Sequence, residues 1–110
     1  AAQMAAWYNS GTVLVCTSDA EGTPNVALEA AACGCTVVST RVGNMPELIR
    51  DGWNGYLVER ELSALHAAVR RACDDYPRLA TAMLDSIRDW DWRRSAAEHF
   101  ALFREVCAEP

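Results

Sequence analysis

The stretch VLVCTSDAEGTPNVALEAAACGCTVVST, Val13 to Thr40, decides the fold. It opens and closes on short apolar runs, VLVC (Val13 to Cys16) and TVVST (Thr36 to Thr40), rich in the β-branched residues that favour strands. Neither run alternates apolar with polar, which is the mark of strands buried on both faces of a parallel sheet. Parallel neighbours need a crossover, and the segment between the two runs supplies one. Thr17 to Asn25 is dense in turn formers, Thr23 and Pro24 suit the N-cap and first position of a helix running to about Cys33, and Gly34 stops it.

The same alternation continues outward. After TVVST come the loop RVGN (Arg41 to Asn44), a short helix MPELIR (Met45 to Arg50), the turn DGWNG (Asp51 to Gly55) and a third strand, YLV (Tyr56 to Val58). A helix from about Glu61 to Asp74 follows, with Leu62, Leu65, Val69 and Ala72 as its apolar stripe. Upstream, Ala1 to Asn9 reads as a helix with Met4, Ala5 and Tyr8 on one face. From Tyr76 on the pattern is helical only: Leu79, Met83 and Ile87 line one segment. Ala96, Phe100, Phe103 and Cys107 line another, after the turn at Trp90 to Trp92. The expected class is α/β, a Rossmann-like parallel sheet of about three strands with flanking helices and a helical C-terminal tail over about 76–108. With 110 residues, 1–110 is expected to form a single domain.

Composition narrows the function. Ten basic side chains, all Arg, stand against fifteen acidic ones, for a formal net charge of −5, so nucleic acid is not an expected partner. The five cysteines, Cys16, Cys33, Cys35, Cys73 and Cys107, lack the spacings of a redox pair or a zinc site and are expected to be reduced and mostly buried. No apolar run nears the ~20 residues of a membrane span and no signal peptide opens the chain, so a cytoplasmic location is expected. Because the chain starts at Ala1 inside a helical pattern, it is also expected to be a fragment of something longer.

The segment with chemical content is EGTPNVALE, Glu21 to Glu29, in the loop after the first strand and the helix that follows. In an open parallel sheet ligands bind at the carboxyl ends of the strands, where this loop lies. A helix N-terminus presents backbone N–H groups to an anion such as a diphosphate. Pro24 has no N–H, so the donors would be those of Gly22, Thr23 and Asn25. Carboxylates beside phosphates are repulsive unless they accept hydrogen bonds from neutral hydroxyls, and a sugar diol meets that need. Spacing alone favours the plainer reading, in which Glu21 is a solvated loop charge and Glu29 an exposed helix residue. His66 and His99 have no Cys, Asp or Glu partner at ligand spacing, and no metal site is expected. Trp53 either shields a ligand or packs on the sheet, whereas Trp90 and Trp92 are expected to anchor the tail.

The run EGTPNVALEAAACGCTVVSTRVGNMPELIRDGWNGYLV (Glu21 to Val58) resembles the donor-binding segment of retaining glycosyltransferases of family 4. The likeness includes two Glu separated by seven residues, the small-residue helix before Gly34, the strand TVVST, Gly43 with Pro46 and Glu47, and the DGWNGYLV turn and strand. DWDW and the helix after it are similar to the end of those enzymes. The resemblance implies a GT-B fold of two Rossmann-like domains, of which this chain is the C-terminal portion of the donor-binding one. Glu29 looks like the residue that binds the ribose hydroxyls and Glu21 like the catalytic residue at the transferred sugar, with the backbone of Gly22, Thr23 and Asn25 facing the diphosphate. The family commonly has Pro where Thr36 stands. The resemblance also implies that the first strands of the sheet, the basic pair that neutralises the diphosphate and the acceptor domain lie outside these residues, with Arg41 the cation expected near the loop edge.

The implied partners are a nucleotide-sugar donor, which is a substrate and not a cofactor, and a glycan or glycolipid acceptor held by the missing N-terminal domain. The implied role is polysaccharide or glycolipid assembly, with the parent enzyme peripheral to the inner face of the membrane. The isolated chain is expected to bind donor weakly, not to catalyse, and to form a homodimer through the exposed sheet edge. The alternatives are a stand-alone Rossmann-like module that binds a nucleotide or partner without catalysis, and a GT-B sugar epimerase fragment. An upstream region with an acceptor domain and an Arg and Lys pair would separate the first reading from the second.

Overall fold

A computed structural model describes residues 2–108. Its described residues form β1 (Val13–Cys16), β2 (Thr36–Thr40) and β3 (Gly55–Val58), with α1 (Ala2–Asn9), α2 (Asn25–Ala32), α3 (Met45–Leu48), α4 (Leu62–Asp74), α5 (Tyr76–Ile87) and α6 (Trp92–Ala108). The strands make one parallel sheet in the order β1-β2-β3, with Val13 opposite Thr36 and Val37 opposite Gly55. β2 is central and all five of its residues are buried, which is why it carries no solvent-facing position in its sequence.

Successive β2 residues serve opposite faces. Val37 joins a cluster with Ala27, Ala31, Met45, Ile49 and Met83, so α2 and α3 cover that side. Val38 joins Tyr56, Ala68, Ala72 and Leu79, so α4 covers the other. Burying valines of this kind stabilises the fold by roughly 1.5 to 3 kcal/mol each. The small residues Ala27, Ala30 and Ala31 are fully buried and let α2 lie close on the sheet. Cys33 caps α2 and Gly34 follows at φ +89°, with Gly34 N–H donating to Ala31 O and Cys35 N–H to Ala30 O. That double bond pattern needs a left-handed residue, and Gly34 supplies it.

Several expectations need correction. Leu62 is 83% exposed at the first turn of α4, and the buried face of that helix is Ala68 and Ala72, with Leu65 and Val69 packed at its margin. Asn25 opens α2 with Pro24 as its N-cap, so Thr23 does not cap it. Of the two tail tryptophans only Trp90 packs on the core; Trp92 is 87% exposed. α6 buries no residue, so the stripe of Ala96, Phe100, Phe103 and Cys107 covers nothing among the described residues. Cys16 and Cys35 are buried, but Cys73 and Cys107 are exposed. Trp53 lies half-exposed under the Arg50 guanidinium, 4.7 Å from the ring centroid. Among the described residues no helix is long and apolar enough to cross a membrane.

Candidate functional site

The loop between β1 and α2 is held from three directions. Thr40, at the end of β2, donates its hydroxyl to Ser18 O at 2.7 Å. Asn44 donates its amide N–H to Gly22 O at 3.1 Å and its Nδ2 to Thr23 Oγ1 at 3.0 Å. Arg60 donates to Thr17 O at 3.0 Å and pairs with Asp19 at 3.0 Å. The loop after β2 comes so close that a Cβ on Gly43, whose φ is +52°, would run into Gly22 O. Glycine is therefore required there on two counts, the left-handed backbone and the contact.

The α2 N-terminus that this loop leads into has no side-chain cap. Pro24 O accepts from Ala27 and Leu28 N–H, while the N–H groups of Asn25 and Val26 have no earlier carbonyl of the helix to bond. The loop and helix start line a groove of about 640 Å³ through Thr23, Asn25 and Glu29, and Trp90, Trp92 and Arg94 from the chain's C-terminal part line it as well. The structure thus brings Thr23, Asn25 and Glu29 together. Gly22 and Glu21 stand beside the groove and do not line it, and the exposed Glu21 accepts from Ser18 Oγ at 2.9 Å.

Glu29 is exposed at its carboxylate but not free: the phenol of Tyr8, only 3% exposed, donates to Oε2 at 2.9 Å. Burial raises the Tyr8 pKa above its ordinary value, and the hydrogen bond to Glu29 and that residue's charge raise it further. The groove is acidic. Glu47, Asp89, Asp91 and Glu98 also line it, and the one cation among the described residues that line it, Arg94, is held by Glu98 at 2.8 Å, a bond that pushes the guanidinium pKa up. Such walls accept hydrogen bonds from neutral hydroxyls and repel free phosphate, leaving the helix start as the place for a bound anion.

Sequence reasoning missed Tyr8, Ser18, Asn44 and Arg60. Tyr8 carried only the signal of an apolar helix face, and nothing in a spacing of 21 residues ties it to Glu29. Arg60 is a second cation at the loop edge besides Arg41, but both are engaged, Arg41 facing Glu59 at 3.8 Å. His66 is exposed, and His99 donates Nδ1–H to Ser95 O at 2.7 Å. Among the described residues no group of three or more His, Cys, Asp or Glu side chains is placed to hold a metal ion.

Residues 1–75 match the family described as Glycosyl transferases group 1. The chain belongs to that family. This group 1 glycosyltransferase chain is 36% identical over 108 residues to D-inositol 3-phosphate glycosyltransferase 1 of Catenulispora acidiphila, covering 94% of this chain and 26% of the relative. It is 39% identical over 101 residues to the D-inositol 3-phosphate glycosyltransferase of an Arthrobacter species, covering 88% and 24%. The chain therefore spans about a quarter of the length of these relatives. Among solved structures it matches a sucrose-phosphate synthase from Thermosynechococcus elongatus with a TM-score of 0.82 at 27% identity, covering 96% of this chain and 28% of that one. A C-terminal domain of a group 1 glycosyl transferase from Francisella tularensis matches at 36% identity and a TM-score of 0.62, covering 74% and 44%. The three parallel strands and their helices are those of the Rossmann-like C-terminal domain of GT-B type.

Proposed function

We propose that this chain is the C-terminal portion of the donor-binding domain of a retaining family 4 glycosyltransferase. The whole protein would move a sugar from a nucleoside diphosphate to an acceptor hydroxyl. The bond from the anomeric carbon to the diphosphate oxygen breaks, a bond from that carbon to the acceptor oxygen forms on the same face, the nucleoside diphosphate leaves, and the acceptor loses its proton. Glu29 binds the ribose diol, the amides of Gly22, Thr23 and Asn25 face the diphosphate, and Glu21 contacts the transferred sugar. One observation carries the reading: an exposed, pre-oriented carboxylate shares a groove wall with an uncapped helix N-terminus. The nucleotide sugar is a substrate, and the reading uses no metal or cofactor. The names of the relatives point to an inositol phosphate as one acceptor class, to be held by the N-terminal domain of the whole enzyme. That enzyme would work in the cytoplasm at the inner membrane face.

In the whole enzyme Glu29→Gln should weaken donor binding by roughly 1 to 3 kcal/mol, the range for hydrogen bonds to a charged group, and leave the rate at saturation much less changed. Glu21→Ala should act mainly on kcat. Calorimetry and steady-state kinetics separate the two, and unchanged donor affinity in Glu29→Gln removes the ribose assignment. The isolated chain, whose Arg41 and Arg60 are committed to Glu59 and Asp19, should show no sugar transfer.

A further inference from the structure

The buried phenol beneath Glu29 is the group that the reading above leaves unused. Tyr8 sits near the end of α1 with its ring packed against Ala30 and Cys35, and Trp7 meets it edge-on with 5.1 Å between centroids. Its backbone is held as well: Tyr8 O accepts from the buried Cys35 thiol at 3.2 Å and from Gly11 N–H at 3.0 Å. The hydroxyl emerges from this packed base at one point only, on Glu29 Oε2.

We propose that Tyr8 is the positioning residue for Glu29, fixing the carboxylate plane so that Oε1 is presented to a ligand diol. The proposal rests on reading Glu29 as the ribose-binding carboxylate. An ionised carboxylate only accepts, so the phenol proton occupies Oε2 and leaves the other oxygen for the ligand. A glutamate on an open helix face otherwise samples many rotamers, and each must be frozen when the ligand binds. Holding it in the free protein moves that cost from binding to folding, which is preorganisation. A mere brace between α1 and α2 would not need a partner that itself lines the groove, as Glu29 does.

The test uses calorimetry of the 110-residue chain with UDP, GDP and ADP and with their 2′,3′-dideoxy counterparts. Tyr8→Phe keeps the packed ring and should weaken the ribonucleotide by about three- to tenfold, while leaving its dideoxy counterpart at wild-type affinity. Equal loss for both nucleotides would make Tyr8 a structural brace and overturn the inference. Wild-type affinity in Tyr8→Phe, with loss in Glu29→Gln, would overturn the positioning role alone and leave the Glu29 reading standing. No loss in Glu29→Gln, or no binding by the wild-type chain, would remove both. Should Tyr8→Phe fail to fold, the hydroxyl proton of Tyr8 in the wild-type chain decides by NMR. It must shift with the ribonucleotide and stay in place with the dideoxy form, and a proton indifferent to both contradicts the proposal.

Discussion

Thr36 shows how one residue records a departure from the family's usual pattern. Its hydroxyl is buried with no hydrogen-bond partner, while its N–H donates to Thr12 O at 2.9 Å. A Pro at this position would forfeit that bond but would carry no orphaned hydroxyl. Thr36→Val keeps both the N–H and the shape, and removes only the unsatisfied oxygen. It should therefore stabilise the chain by about 1 kcal/mol, the lower part of the cost of a buried unpaired group, read as an increase in the denaturation midpoint at unchanged slope. A destabilised Thr36→Val chain would mean that the hydroxyl has a partner in solution. The sequence allowed Thr36 to be marked as unusual, because that needs only the identity of the residue. It did not reveal Tyr8, because the bond to Glu29 depends on how α1 returns against α2, a fact of packing and not of local pattern.

At the scale of elements, the strands and crossovers were legible because unbroken apolar runs favour a covered parallel sheet, which holds for β2 and β3, whereas in β1 only Cys16 is buried and Val15 is exposed. Gly34 was legible as the stop of α2 and takes positive φ, whereas Gly43 stood out only through the family resemblance and its own positive φ was not foreseen. α6 was harder, because its aromatic spacing is that of a buried face, yet Phe100 is 65% and Phe103 61% exposed. A periodic stripe tells which residues share a face and says nothing of what the face meets. The same observation gives a prediction. A chain lacking 92–110 loses no buried side chain of α6 and should keep its melting temperature within a few degrees, since no core contact is removed with that helix. If the apolar face instead drives self-association, as such exposed surface tends to, the shortened chain should also sediment at lower mass than the full chain at micromolar concentration. A large drop in melting temperature would show that α6 packs on the domain in solution.

In the whole molecule, a three-stranded parallel sheet, its loop edge and one acidic groove come together at the site proposed for a nucleotide sugar. Charge decides which parts of a donor this half can hold. The groove walls offer carboxylates to hydroxyls, the α2 start offers amides to a diphosphate, and the nearby Arg41 and Arg60 are paired with Glu59 and Asp19. Self-pairing at β1, which has one strand neighbour among the described residues, is a further expected consequence of an open apolar edge. Glu29 and the loop were found from residue types and their place after a strand. The acidic lining from Asp89, Asp91 and Glu98 was not, because those residues lie some sixty or more positions further along the chain than Glu29 and meet it only through the fold. The most direct test is an amide NMR titration of the uniformly labelled chain with UDP, GDP and ADP. Saturable shifts are expected at Gly22, Thr23, Asn25 and Glu29 and should be reduced in Glu29→Gln, whereas shifts confined to the other face of the sheet, around Ala68 and Ala72 of α4, would contradict the proposed site.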